Sequence, residues 1–236
     1  MIIHKVSPCK ILALDTATRR GSVALLEDRN VVAQLNLASL ETHSARLLRS
    51  IEYLLGTASW RLSDLSLIAA GLGPGSFTGI RIGLSTALGL AQSLSIPFAG
   101  ISGLDAVARS ASWVEGRLGV IMDAQRSQIY YAEYLIHGGS VRRIHRPSLW
   151  FPGDLKGRLL HKGLHIIGDG IERYLQSLNR VSPLWPRILD SDLYLASAIA
   201  RIALVRRQCW RSGECLRAEP LYIRPPDALK PKERKR

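Results

Sequence analysis

Hydrophobic and polar positions along the chain change period several times, and each change marks an element. Three short apolar-rich runs at 11–15, 22–27 and 31–37 read as strands, and Asp28-Arg29-Asn30 gives the last two a tight hairpin connection. From 42 to 55 the period lengthens. Leu47, Leu48, Ile51, Leu54 and Leu55 recur at helical spacing, with Thr42 as N-cap and Gly56 just past the end. A fully apolar strand at 67–70 leads into a glycine-rich loop and a helix over 80–93. Gly73-Pro74-Gly75 makes the tight turn before that helix, and Thr78 is expected to cap it. A strand at 97–101 and a helix capped by Ser102 and ending near Ala108 complete a β-β-β-α-β-α-β-α order, antiparallel at first and then parallel.

The second half opens like the first. Strands are expected at 118–123, 129–135 and 141–145, followed by an irregular Pro/Gly stretch over 147–163. A strand at 165–167 and helices at 171–178 and 192–206 follow. ILALDTATRRGSVALL and LGVIMDAQRSQIYYAEY align as a strand ending in aspartate, a short turn and another strand. The chain therefore reads as an α/β protein of two related βββαβα-type lobes, 10–104 and 105–225, the second abbreviated. The C-terminal segment is left free to return to the first lobe, and 226–236 forms a basic tail.

With 236 residues, 47% of them hydrophobic, the chain can bury a real core, which excludes global disorder. Its apolar runs fall far short of the ~20 residues of a spanning helix, and residues 1–10 lack a secretory h-region. A soluble, cytoplasmic protein without membrane contact is expected. Cys9, Cys209 and Cys215 make neither a disulfide framework nor a zinc spacing. The net charge of +13 favours an anionic partner, nucleic acid first. Part of it lies in KPKERKR at 230–236, either a solvated tail or an aid to holding RNA.

Asp15 and Asp123 each end the first strand of a lobe. In the actin-like ATP-binding superfamily such aspartates face each other across a cleft and manage Mg²⁺ and phosphates, beside glycine-rich turns. Here Thr16-Ala17-Thr18-Arg19-Arg20-Gly21 keeps hydroxyls and one glycine, and Ala124-Gln125-Arg126-Ser127-Gln128 has no glycine. Asp15, Thr16, Thr18 and Asp123 thus mark a vestigial nucleotide cleft. His43 has no histidine partner at position 47, and Gly163 interrupts the His161/His165 pair, so no metal site is expected. Gly75-Ser76-Phe77-Thr78-Gly79 has phenylalanine where a nucleophile elbow needs serine. GLGPGSFTG fits neither the Walker A nor the dinucleotide pattern. Its glycines instead continue down the helix as Gly79, Gly83, Ala87 and Ala91, a nearly bare face against which either the lobe's own sheet or a partner helix packs.

GPGSFTGIRIG at 73–83, with DLSLIAAG before it, closely resembles the signature of the TsaB (YeaZ) family, accessory subunits of the bacterial machinery making threonylcarbamoyladenosine at position 37 of tRNAs. ILALDTATRRGSVAL, THSARLL, DAQRSQIY, IGDG and Pro220-Leu221-Tyr222-Ile223-Arg224 extend the likeness over 10–225. The resemblance implies the actin-like (ASKHA, RNase H-like) fold and a catalytically silent paralogue of TsaD, the subunit that transfers the threonylcarbamoyl group. It implies binding and activation of TsaD, with TsaE joining the pair, ATP and metal on the partner subunits, tRNA at the level of the complex, and the capacity to form a homodimer when alone, with homodimer versus monomer left open. His43, Arg46, Ser50 and Tyr53 on the first helix, with Gly79, Gly83 and Ala87 on the next, are the expected docking residues. The rival readings are an active ASKHA phosphotransferase using Asp15 and Asp123, and a protease acting on a TsaD-like partner. The chain departs from the family at Ala45 (commonly glutamate), Leu88 (commonly lysine), Ser127 (commonly glycine) and in its basic tail.

Overall fold

The structure is a computed structural model that describes residues 8–18, 20–38, 43–159, 163–179, 187–189, 192–206 and 219–223. The side chains of 43–45, 156, 175, 179 and 187 fall outside that description. The first sheet contains β1 (Lys10–Asp15), β2 (Arg20–Glu27), β3 (Asn30–Ala38), β4 (Leu67–Gly71) and β5 (Phe98–Ile101), in the order β3-β2-β1-β4-β5. β1 pairs antiparallel with β2 and parallel with β4, and β4 pairs parallel with β5. Helices α1 (His43–Thr57) and α2 (Phe77–Leu94) cover one face. There Leu47, Ile51 and Leu54 of α1 meet Leu12, Leu14 and Ile68 of the sheet and Leu84 and Ala87 of α2. Helix α3 (Gly103–Ser110) lies on the other face. Covered on both faces, β4 is buried at every residue, which is why its sequence LIAAG shows no alternation.

The second sheet repeats the plan. β6 (Gly116–Asp123), β7 (Ile129–His137), β8 (Ser140–Trp150), β9 (Leu164–Ile167) and β10 (Arg187–Ile188) take the order β10-β9-β6-β7-β8, with the same antiparallel and parallel relations. As described, abbreviation in this sheet is confined to the two residues of β10. A 3₁₀ turn (Pro152–Leu155), a short α4 (Lys156–Leu159) and α5 (Asp169–Asn179) cover its outer face through Leu155, Leu159, Ile171 and Leu178. Helix α6 (Ala196–Val205) then returns to the first lobe, packing on β1, β2, β4 and α3. Residues 219–223 lie there too: the Leu221 amide donates to the Leu72 carbonyl at 2.8 Å, and Tyr222 packs on Phe77 at 5.4 Å. Among the described residues no helix is long and apolar enough to cross a membrane.

Several boundaries differ from the sequence expectation. Helix α2 starts at Phe77, because Ser76 and not Thr78 is its N-cap and accepts from the Gly79 amide at 3.2 Å. β8 runs on to Trp150, into the start of the stretch expected to be irregular. Pro147 is tolerated because β8 is an edge strand and the pairing register slips between Tyr131 and Glu133, beside that proline. α6 begins at Ala196, after four non-helical residues, and the expected lobe boundary at 104/105 falls inside α3. Thr42, His161 and the tail 226–236 lie outside the described residues.

Candidate functional site

Asp15 ends β1 at the turn into β2. It is 1% exposed; Oδ1 accepts from the Ala17 amide at 3.3 Å, and Oδ2 is buried without a hydrogen-bond partner. A Cβ on Gly71, at the end of neighbouring β4, would stand 2.5 Å from Oδ1, so only glycine leaves room for this carboxyl. Burial first, and repulsion by Asp169 after it, push the Asp15 carboxyl up from its ordinary 3.8 to about 6.

The glycine-rich stretch grips the same turn. Thr16 is buried, and its hydroxyl donates to the Gly79 carbonyl at 2.7 Å; the Ser76 amide donates to the Ala17 carbonyl at 2.7 Å. A Cβ would come within 2.1 Å of the Ala17 carbonyl oxygen at Gly75, 2.1 Å of the Thr16 carbonyl oxygen at Gly79, and 2.3 Å of Thr16 Oγ1 at Gly83. The bare face of α2 is therefore filled by the chain's own β1–β2 turn. Thr18 closes the turn locally, its hydroxyl accepting from the Arg20 amide at 3.2 Å.

Asp123 occupies the equivalent position in the second lobe, and its carboxylate is fully engaged. Oδ1 accepts from the Gln125 amide (2.8 Å) and the Tyr174 hydroxyl (3.0 Å), and Oδ2 from Gln125 Nε2 (2.9 Å) and Arg173 Nη1 (2.7 Å). The following turn holds Gln125, Arg126 and Ser127 all in the left-handed region, with φ of 58°, 54° and 57°. Three such residues in a row are one left-handed turn, unlike the alternating backbone of an anion nest. Ser127 stands there where glycine would be unstrained.

Asp169, which the sequence reading did not select, joins the two halves of the cleft. Its Oδ1 accepts from the Asp123 amide at 3.0 Å, and burial, with the neighbouring Asp123 charge, raises its carboxyl. Its flanking glycines set its place: a Cβ would stand 1.9 Å from the Ile121 carbonyl oxygen at Gly168 and 3.0 Å from Ile121 Cγ2 at Gly170. IGDG contained the signal, an acid at a helix start between two glycines. These residues do not fit a magnesium nucleotide. Asp15 is enclosed, the acceptors of Asp123 are taken by four donors, and the Thr16 hydroxyl is spent on Gly79.

The expected docking residues divide. Arg46 and Tyr53 are exposed, Tyr53 at 66%, with Leu48 also open at 53%. Ser50 is buried and its hydroxyl donates to the Arg46 carbonyl at 2.8 Å, a local helix contact. Gly79, Gly83 and Ala87 were expected on the partner surface as well, and all three are buried inside the lobe. His43 is the first residue of α1; its side chain falls outside the description. The open side of α2 carries Gly89 instead, where an added Cβ would meet nothing within 4 Å.

The family model described as TsaD, tRNA N6-adenosine threonylcarbamoyltransferase, matches residues 36–172, more than half of the chain. A TsaB of Escherichia coli K12, a tRNA threonylcarbamoyladenosine biosynthesis protein, is 38% identical over 148 residues, which cover 59% of this chain and 64% of the relative, just under two thirds. The Haemophilus influenzae TsaB is 29% identical over 91% of this chain and 93% of its own length. Among solved structures, a Pseudomonas aeruginosa protein described as similar to the peptidase YeaZ is 28% identical with a TM-score of 0.76, covering 92% of this chain and all of that one. An Arthrobacter polyphosphate/ATP-glucomannokinase, 10% identical with a TM-score of 0.53 over 84% of this chain and 99% of its own, shares the fold alone, the actin-like one. The chain belongs to the protein family which that TsaD model describes and, within it, to the TsaB (YeaZ) family.

Proposed function

We propose that the chain is a non-catalytic subunit that binds and activates TsaD for threonylcarbamoyl transfer to adenosine 37 of tRNA, acting in the cytoplasm. One observation carries the silent role: the cleft's carboxylates are committed to the chain's own structure, Asp15 by enclosure and Asp123 by four donors. ATP and metal then belong to partner subunits, and TsaE joins the assembled pair. The docking surface is the exposed side of α1, with Arg46, Leu48 and Tyr53, continued by the open side of α2 around Gly89. An exposed tyrosine and arginine on one helix are the residue types that anchor interfaces. The same surface serves a homodimer when TsaD is absent.

The test is the affinity for TsaD of the Tyr53→Ala and Arg46→Glu variants. Each should bind at least about tenfold more weakly while melting like the parent chain. Unchanged affinity would remove α1 from the docking surface.

A further inference from the structure

A second concave site lies on the other side of the first sheet from α1 and α2, between α3, α6 and the β7–β8 hairpin. It is a cavity of about 570 Å³ with Arg109, Arg143, Arg146 and Arg206 around it and, among the described residues, Asp105 as its one acidic lining residue. Four guanidinium groups against one carboxylate leave the site strongly cationic.

The carboxylate serves to fix arginines in place. Asp105 is largely buried and accepts the Tyr134 hydroxyl at 2.8 Å and Arg143 through Nε at 3.1 Å and through Nη2, while Arg206 Nη2 approaches to 3.8 Å. Tyr134 is itself 1% exposed, so this anchor is rooted in the core. Arg109 is held differently, Nη1 donating to the Gly139 carbonyl at 2.8 Å. Each guanidinium carries five N–H donors in a planar fork, and these contacts consume only a few of them. On Arg109 and Arg143 the rest form an oriented set of donors, the arrangement that binds phosphate oxygens in pairs.

The spread of the site decides between one phosphate and several. Arg143 and Arg146 stand on edge strand β8, Arg109 on α3 and Arg206 at the end of α6, around a cavity of about 570 Å³. A cavity of that volume has room for more than one phosphate group, as successive phosphates of one backbone require. Trp113, on the connection from α3 to β6 and outside the cavity lining, offers an aromatic surface. It is 69% exposed and follows Ser112, whose carbonyl oxygen lies 4.0 Å from the position of a Cβ on Gly139, beside the Arg109 anchor. Cationic grooves with an exposed ring beside them hold single-stranded nucleic acid, phosphates on the arginines and a base on the ring. The chain's +13 charge acts in the same direction at long range.

We propose that this cavity binds the phosphate backbone of RNA, the four arginines taking successive phosphates and Trp113 stacking on an unpaired base. The site rests on the function proposed above only for which RNA reaches it, a substrate tRNA.

The experiment measures binding of a fluorescently labelled, unmodified tRNA to the full chain by anisotropy across a salt series. The double variant Arg109→Ala/Arg146→Glu removes two contacts without touching the Asp105 anchor. Its slope of log K against log salt should flatten by about 1.4 to 1.8. Arg146→Lys should keep the parent slope, and Trp113→Ala should lower affinity severalfold with the slope unchanged. Arg49→Ala, on the far face, should change neither. Inorganic phosphate or ATP at millimolar concentration should displace the RNA no better than chloride of equal ionic strength. A double variant with the parent slope, or displacement by phosphate alone at a small fraction of that ionic strength, would overturn the proposal. Repeating the series without residues 230–236 separates the cavity from the basic run. TsaD affinity should be the same in the Arg109→Ala/Arg146→Glu, Arg146→Lys and Trp113→Ala variants, so failure here is distinguishable from failure of the docking reading.

Discussion

Replacing Asp15 with asparagine should remove a large pH dependence from the stability of the chain. Asp15 is enclosed and its carboxyl rises from 3.8 to about 6 on folding, chiefly through burial. Below 3.8 both folded and unfolded chains hold the proton, so the group contributes no slope. Between 3.8 and about 6 the unfolded chain releases the proton while the folded one keeps it, so stability falls as pH rises. Above about 6 the folded chain carries a buried carboxylate, and the loss is complete. At about 1.4 kcal/mol per tenfold change in proton affinity, the loss is roughly 3 kcal/mol. Asparagine has the same shape and no charge, so its folded state escapes that loss. Its amide introduces a buried donor with a cost of its own, but that cost does not change with pH. The assay is urea denaturation of both proteins at about pH 4 and about pH 7.5, taking the difference of differences. The variant should gain roughly 2.4 kcal/mol relative to the parent between the two conditions, since at pH 4 the unfolded carboxyl has already begun to release its proton. Parallel pH profiles for parent and variant would refute the account of Asp15 as a buried, proton-retaining acid.

Three further outcomes follow from the same contacts. Gly83→Ala should cost about 2–3 kcal/mol, because the methyl would fall 2.3 Å from Thr16 Oγ1; adding Thr16→Ala should recover part of it, leaving a coupling above about 1 kcal/mol in urea titrations. Ser127→Gly should raise thermal stability by about 1 kcal/mol, since Ser127 sits at φ 57° in a run of left-handed residues. Gly89→Ala should stabilise the isolated chain by about 1 kcal/mol, because its Cβ would stand in open space on a helix, yet weaken TsaD binding if α2 is part of the docking surface.

Much of this fold could be read from periodicity because its central strands are buried on both faces and its helices on one. β1, β4 and α1 announce themselves as apolar runs or as a stripe at helical spacing. Ends were harder, since they depend on a single hydrogen bond: Ser76 and Thr78 are both plausible caps, and only the Gly79 amide chooses between them. β10 is two residues long and gave no period to detect. Asp15 and Asp123 were identifiable as strand-ending acids, but what they do depends on distant partners. Arg173 and Tyr174 approach Asp123 from about fifty residues away, and no local pattern connects them. The small residues of α2 pointed correctly to close packing without saying against what. The answer, the Thr16-Ala17 turn, lies some sixty residues earlier in the chain.

The most direct measurement is reconstitution of threonylcarbamoyladenosine formation on unmodified tRNA from purified TsaD, TsaE and a source of threonylcarbamoyl-AMP, with and without this chain. The proposed role predicts little product without the chain, full activity when it is added, and the same activity when Asp123→Asn protein replaces it. Product formation that ignores the chain, or that is abolished by Asp123→Asn in a folded, TsaD-binding protein, would contradict a silent activating subunit.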